Sequence, residues 1–569
     1  MQKNHSVSLN LNKSIRPIGF IIVFVFFLLP IIKLIYLSFS FSKGLLTLNN
    51  YITIFSDHET WYVIRNTLIM IIGSLIISIF IGTVMAWIVA YSDIKHKKFI
   101  NMLILSSFLI PSYIFTLSWT QLTYSNGLIS ILSKMIIGKS ISINLYSMGG
   151  IIFIMGLVNY PLVYLLTASV LRRIPRDLEM AARASGADRL TILFKIIIPL
   201  SLPGILNGAL LAFLASLDNF GVPAFLGIQA NITVLSTYIY QQIIGFGPTA
   251  FAKGAVLSVI LGIIALIGTF FIWLILRNFK QMETVTEDLN PRYHLRNYRK
   301  IVETLIWGFL IITIFLPLFS MLITSFLKAY GLDIDFSNLT FNHYRFILSD
   351  DKTKNAIVNS FILSIVTTFI CLIIGTHVAY SIVRKPSKLI KLLEMVIGLP
   401  YALPGIVMAL SIILSWMEPL PGWNPGIYGT IKILFIAYIT RFMILQVRGS
   451  ITAILQVDTS VEEAASICGA DQLIKWRKIL LPLILPGILS GAFLVFITSL
   501  TELTVSSLLW SSGSETIGVV IFNFEQGGYT TNSTAFSSFV LLLIVIGSLF
   551  LFFIQRFWNR RVILHDGRN

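Results

Sequence analysis

The side chains able to do chemistry in this chain are sparse and come in matched pairs. Glu179, Gly186 and Asp188 recur as Glu462, Gly469 and Asp471, 283 residues later. Asp218-Asn219 and Thr501-Glu502 stand at the same offset, each at the end of an apolar run. The seven histidines and two cysteines show no metal-site spacing. Cys371 lies in an apolar run and Cys468 in a polar loop, which does not support a disulfide framework. The Gly138-Lys139-Ser140 triplet has Ser133 where a phosphate loop needs its first glycine. Nucleotide hydrolysis is therefore not expected of this chain. No acid/base constellation supports an intramembrane enzyme, and His377 and Cys371, six residues apart, read as packing residues.

These groups must be positioned by membrane helices. Of the 569 residues, 56% are hydrophobic and 12% charged, against about 25% charged in soluble proteins. Spanning a bilayer takes about 20 apolar residues, and only helices or closed barrels satisfy the backbone in lipid. Twelve stretches qualify: 17–38, 64–91, 98–121, 148–171, 200–217, 254–276, 302–326, 357–383, 389–415, 429–447, 483–500 and 535–555. The first is expected to be retained rather than cleaved as a signal peptide. The net charge of +17 comes largely from basic residues between spans, such as Arg172, Arg173, Arg176, Arg183, Arg189 and Lys195, while 218–252 has none. This positive-inside bias places both termini and the repeated loops in the cytoplasm and requires no nucleic-acid partner.

The repeat extends beyond the loops. IGTVMA at 81–86 parallels IGTHVA at 374–379, and Asn66 and Pro111 parallel Asn359 and Pro404, at an offset of 293. Six spans per repeat give both halves the same orientation, related by a pseudo-twofold axis along the membrane normal. The expected division is a first half 1–276 with its loop at 172–199, a cytoplasmic linker 277–301, and a second half 302–569 with its loop at 448–482.

Residues 179–205 and 462–488 share 15 of 27 positions. Each copy reads as two short helices broken at Gly186 or Gly469, where glycine accepts a left-handed backbone. Asp188 and Asp471 then cap the next helix. Ser460 and Glu463 fit a capping box, and Pro175 an early-helix position. The second helix is expected to stop at Pro199 and Pro482, with Pro203 and Pro486 turning the chain into the next span. Ala181, Ala182, Ala464 and Ala465 allow another surface to approach closely. A linking amphipathic helix would explain one copy; matched glycine, aspartate and prolines in both favour docking.

The pattern E-x-A-A-x-x-x-G-A, followed by proline thirteen residues after its glycine, resembles the EAA loop of ABC-transporter permeases. These are membrane subunits of bacterial binding-protein-dependent importers. The two-half arrangement is similar to the ferric-iron permease family, as are LDNFGVPAFLG (217–227) and TELTVSSLLW (501–510). The motif's second residue, usually Ala, is Met180 and Glu463 here. The resemblance implies an all-α type I importer fold in the bacterial inner membrane. It also implies two copies of a separate ATPase subunit, one on each loop, an extracytoplasmic substrate-binding protein, and alternating access. No cofactor is expected on this chain, since ATP and Mg would bind the ATPase. Ferric iron leads as substrate, with thiamine, polyamine, sulfate or phosphonate as alternatives. A gradient-driven secondary carrier would also suit twelve spans, but needs no docking loops.

Asp218 lies about 22 Å along a helix from Pro203, near the outer mouth. With Asn219, Thr501 and Glu502 it reads either as a polar gate or cation-attracting entry, or as a helix end and helix–helix hydrogen bond. Asn207 and Ser490, also matched, lie deeper and either line a path or pack helices. Residues 418–429 read as an outer turn.

Overall fold

The computed structural model describes residues 19, 21–40, 46–245, 247, 249–277, 279, 287–417 and 426–566, with side chains as far as 549. Among them there is no strand, only three isolated bridges. Nine helices are long and apolar enough to cross a membrane, or up to eleven if each of two bent pairs counts as one. The tenth expected span is the helix Ile431–Leu455, which carries Lys432, Arg441 and Arg448 and lies outside that count.

Three expectations are corrected. The third and ninth spans are not straight. Lys97–Ser107 meets Ser112–Ile137 at 101°, and Lys388–Ala402 meets Gly405–Trp416 at 108°. Pro111 and Pro404 hold extended ψ angles of 137° and 139° at these breaks, and neither can donate an N–H to continue the helix. Next, the helices do not stop at Pro199 and Pro482. Arg189–Asp218 and Gln472–Leu500 run through both prolines as continuous spans. A π-helical turn precedes each, at Leu193–Ile197 and Lys475–Leu480, and Ile198 and Leu481 donate to Leu193 and Trp476 five residues back. The wider turn shifts the hydrogen-bond register so the proline fits without a break. Similar turns at Phe24–Leu28 and Ile311–Phe315 precede Pro30 and Pro317. Finally, His377 is exposed rather than packed, while Cys371 is buried.

The helices pack through small residues. His58–Tyr91 lies along Met148–Arg173, where a Cβ on Gly82 would come 2.7 Å from Val163 Cβ. Asp351–Arg384 lies likewise along Ile431–Leu455, with Gly375 against Gln446. Close backbone approach of this kind gives dispersion contact where lipid offers no hydrophobic drive.

The halves interlock reciprocally. Leu316–Thr324 packs on Ser112–Thr123 of the first half, and Leu29–Ser38 on Gly405–Trp416 of the second. Ser320 Oγ donates to the Gln121 carbonyl at 2.7 Å, and Lys33 Nζ to that of Leu414 at 3.3 Å. Gln121 and Leu414 are repeat equivalents. Asn66 Nδ2 donates to Thr233 O at 3.1 Å, and Asn359 Nδ2 to Gly513 O and Glu515 O at 3.0 Å. Each asparagine thus ties the chain after its half's fifth span to the second span. Residues 418–425 of the expected outer turn lie outside the described residues, as do 280–286 of the linker. The rest of that linker runs into a helix that already begins at Arg296.

Candidate functional site

Both repeated loops fold by the same local chemistry. The first helix, Arg176–Ala184, follows Pro175, and its counterpart Thr459–Ile467 follows Asp458. Asp458 accepts from Ser460 N at 2.8 Å. The expected capping box on Ser460 and Glu463 therefore does not form, because the helix starts two residues earlier and Asp458 takes the N-cap. Hydrogen bonding to Ser460 holds the Asp458 carboxyl below its ordinary value.

Each helix ends in a Schellman turn. Ala187 N donates to Ala182 O at 3.0 Å, and Ala470 N to Ala465 O at 2.9 Å. Gly186 and Gly469 between them have φ of +84° and +81°, a conformation that only glycine adopts freely. Asp188 Oδ1 then accepts from Thr191 N at 3.1 Å and Asp471 Oδ1 from Ile474 N at 2.7 Å, opening the next helix. The hydrogen bond to Thr191 holds Asp188 below the usual carboxylate range.

The two glutamates face inward. Glu179 is buried and Glu462 half-buried. Glu462 Oε1 accepts from Arg384 Nε at 2.7 Å and Oε2 from Tyr380 Oη at 2.9 Å. Glu179 Oε1 accepts from Arg292 Nη1 at 2.5 Å. Of the alanines, Ala181 and Ala464 are exposed, Ala182 is half-buried and Ala465 buried. Outward-facing apolar side chains accompany them. The equivalent Leu190 and Leu473 are 63% and 73% exposed, Met180 58% and Ile467 87%. Each loop therefore has an anchored acidic underside and an apolar outer face.

The second constellation joins the halves at the far ends of the fifth spans. Asp218 is the last residue of Ile198–Asp218. Its carboxylate accepts from Arg441 Nη2 at 2.7 and 2.8 Å and from Gly405 N at 2.6 Å. Both donors belong to the second half, and Gly405 opens the helix after the ninth-span break. Arg441 is 5% exposed and Asp218 40%. Arg441 also lies over the Tyr401 ring, 5.9 Å from its centre.

The remaining expected residues bond within their own half. Asn219 Oδ1 accepts from Val222 N at 3.0 Å and from Ser112 Oγ at 3.4 Å. Glu502, its equivalent, accepts from Val505 N at 2.7 Å, Ser506 N at 2.9 Å and Ser506 Oγ at 2.7 Å. Thr501 donates to Ile497 O, Asn207 to Pro203 O and Ser490 to Pro486 O, each four residues back. Asp218 is thus brought to the other half, while Asn219 and Glu502 close the turns that follow their helices.

Sequence reasoning missed Arg441. A signal existed: it is an arginine about 15 Å into a helix whose repeat equivalent, at the offset of 283, is Val158. An ionisable side chain at that depth needs a partner. No group of three or more metal-binding side chains occurs among the described residues.

A family model for the inner membrane component of binding-protein-dependent transport systems matches residues 78–282 and 371–564. A ferric transport system permease protein of Actinobacillus pleuropneumoniae is 26% identical over 530 residues, covering 88% of this chain and 74% of the relative. An Fe(3+)-transport system permease protein of Haemophilus influenzae is 23% identical over 504 residues, covering 87% and 89%. A spermidine/putrescine transport system permease protein of Haemophilus influenzae is 27% identical over 254 residues, covering 44% of this chain and 93% of its own. With one matched segment and one copy of the repeated loop in each half, the chain belongs to the family of binding-protein-dependent transport system inner membrane components, as a fused ABC importer permease that resembles the ferric-transport members.

Proposed function

We propose that this permease imports ferric iron, handed over by an extracytoplasmic binding protein and driven by two ATPase subunits, one seated on each repeated loop. The observation that carries the docking reading is the recurrence of one construction in both halves. An anchored glutamate, a left-handed glycine and an aspartate cap present an exposed leucine, Leu190 or Leu473, on a polar loop. A purely connecting loop has no need for that duplication. ATP and Mg would bind the partner ATPase, since the Gly138-Lys139-Ser140 triplet lacks the first glycine of a phosphate loop. Both termini and both loops face the cytoplasm, as the basic residues around them require.

Transport then runs between the two fifth spans. The Asp218–Arg441 pair links the halves at one end of that route. Opening the route means parting this pair, and ATPase closure shifts the balance only by binding one arrangement more tightly than the other. Asn207 and Ser490 line the route deeper in, and Asn219, Thr501 and Glu502 shape its mouth. Iron is favoured over polyamine, thiamine, sulfate or phosphonate because relatives spanning most of the chain carry ferric names, whereas the polyamine relative matches under half of it.

The test uses Leu190→Cys and Leu473→Cys in membranes containing the ATPase subunit, with uptake of labelled ferric iron through the cognate binding protein. Cross-links from both positions and iron accumulation are expected. No cross-link from either would overturn the docking reading. Uptake of putrescine or thiamine but not iron would overturn the substrate.

A further inference from the structure

The two loops are anchored alike, but the anchors come from different places in the chain. In the second half, both donors to Glu462 lie at the end of the helix Asp351–Arg384. They are Tyr380 Oη at 2.9 Å and Arg384 Nε at 2.7 Å. Arg384 also donates through Nη2 to Val457 O at 2.6 Å, tying down the entry to the loop. At the repeat offset of 293, the first half has Trp87 and Tyr91 at these positions. Neither supplies a guanidinium, and Tyr91 ends the helix His58–Tyr91 just where Arg384 ends its own.

The missing guanidinium is supplied from the segment between the halves. Arg292 Nη1 donates to Glu179 Oε1 at 2.5 Å and to Tyr91 Oη at 3.1 Å, and Nη2 donates to Ile174 O. Ile174 is the repeat equivalent of Val457. Arg292 therefore meets the same two acceptors as Arg384, the motif glutamate and the loop-entry carbonyl. It lies over the Tyr91 ring, 4.5 Å from its centre, and its side chain is 3% exposed. The residues around it, 288–295, are fastened to the same place. Arg292 N and Tyr293 N donate to Tyr91 O at 2.8 and 2.9 Å, Asp288 N donates to Arg172 O at 2.9 Å, and Leu295 N to Asp93 Oδ1 at 2.9 Å. Arg176 pairs with Asp288 and donates to Asn290 O at 2.7 Å. Burial raises the Asp288 carboxyl, but the Asn290 amide, Arg176 and Arg292 outweigh it and hold the group below its ordinary value.

We infer that Arg292 is the positioning residue of the first coupling loop and that residues 288–295, before the second half, are a working part of that loop rather than a tether. The inference rests on the docking reading above. Arg183, the other cation beside Glu179, is 48% exposed and 3.9 Å away, too solvated to replace a hydrogen-bonded guanidinium, so without Arg292 the buried carboxylate keeps most of its desolvation cost; Glu179 would leave its seat and take the loop with it. The second loop, anchored by its own helix, would be unaffected.

The test uses the full chain with its ATPase subunit in membranes and compares cross-linking from Leu190→Cys and Leu473→Cys. Arg292→Ala is expected to lower the Leu190 cross-link at least about tenfold, since it removes a charge-assisted hydrogen bond to a buried carboxylate, and to leave the Leu473 cross-link unchanged. Arg384→Ala is expected to do the reverse. Tyr91→Arg in the Arg292→Ala background, which puts the guanidinium where the second half carries it, is expected to restore the Leu190 cross-link. Equal loss at both positions in a variant that still purifies as a folded, monodisperse permease, no loss at Leu190, or no restoration by Tyr91→Arg would overturn the inference. Because the Leu473 signal is read in the same molecule, a misfolded variant shows as loss at both. If the parent chain cross-links at neither leucine, it is the docking reading that fails.

Discussion

Removing either partner of the Asp218–Arg441 pair should have unequal consequences, because the two ends differ in access to water. Arg441 is 5% exposed and its strong acceptor is the Asp218 carboxylate. Asp218→Asn keeps an acceptor for Gly405 N but strands the guanidinium, and breaking a buried pair from that side costs about 3–5 kcal/mol. Arg441→Met strands Asp218 instead, which is 40% exposed and keeps the Gly405 hydrogen bond. That change should cost about 1–2 kcal/mol, the range of one hydrogen bond to a charged group net of solvent. In the double variant the stranded guanidinium is gone, so it should be more stable than Asp218→Asn alone, with a coupling energy of about 2–3 kcal/mol. The assay is thermal unfolding of the purified permease in nanodiscs, with basal ATPase activity of the assembled transporter as the functional readout. Freed of the cross-half link, the variants should also hydrolyse ATP without binding protein. The reasoning is refuted if the single variants cost the same and add in the double. It fails equally if uncoupled hydrolysis does not rise.

Three further outcomes follow from the loops and the buried acid beyond them. Gly186→Ala and Gly469→Ala should each cost about 1–2 kcal/mol through backbone strain alone, since a Cβ at either site would meet nothing within 4 Å; limited proteolysis of the loops reads this, and unchanged rates would count against it. Leu190→Asp and Leu473→Asp should leave the melting temperature within the ±0.5 kcal/mol typical of surface changes yet abolish co-purification of the ATPase subunit; retained binding contradicts the docking face. Burial pushes the Glu525 carboxyl up from 4.5 to about 7, against lowering by Ser533, Thr530 and Gln229. The unfolded chain releases this proton first, so stability should fall by about 3 kcal/mol as pH rises from 4.5 to 7 and stay level above. Glu525→Gln should flatten that fall and melt higher at pH 8; an unchanged slope rules the explanation out.

The features legible in the sequence were those decided locally. A left-handed glycine followed two residues later by a capping aspartate is set by backbone sterics and one hydrogen bond, so Gly186-Asp188 and Gly469-Asp471 could be placed without a fold. The breaks at Pro111 and Pro404 were hidden because the apolar composition continues across them, and hydropathy does not register a bend. Pro199 and Pro482 look like stops in the sequence because proline lacks a donor. The π turn that accommodates each depends on register within the preceding helix, which composition does not encode. Asp218 was found but its partner was not, since Arg441 lies 223 residues away on the other half. Arg292 escaped for a similar reason: its contacts with Glu179 and Ile174 span 113 and 118 residues. Comparing the repeats at the helix ends, Tyr91 against Arg384, would have exposed the missing guanidinium.

Fusion into one chain explains why these unequal anchors can exist. In an assembly of two identical subunits every residue on one side of the axis reappears on the other. A single Asp218–Arg441 pair is then impossible, because two aspartates and two arginines would have to be accommodated. Here the symmetry mates are Thr501 and Val158, so one ion pair crosses the interface and its mirror position is uncharged. Arg292 is a further departure, since only a fused chain has an inter-half segment to bring a guanidinium to one loop and not the other. On the proposed docking reading, the repeated backbone keeps in both loops what an ATPase contact would require, namely the turn, the cap and the anchored carboxylate. The single-copy residues are then free to make the halves respond differently to the same pull. On that reading a transporter built this way has two equivalent docking surfaces, while the Asp218–Arg441 pair at the far end of the route occurs in a single copy, and the force applied at two places is resolved there at one.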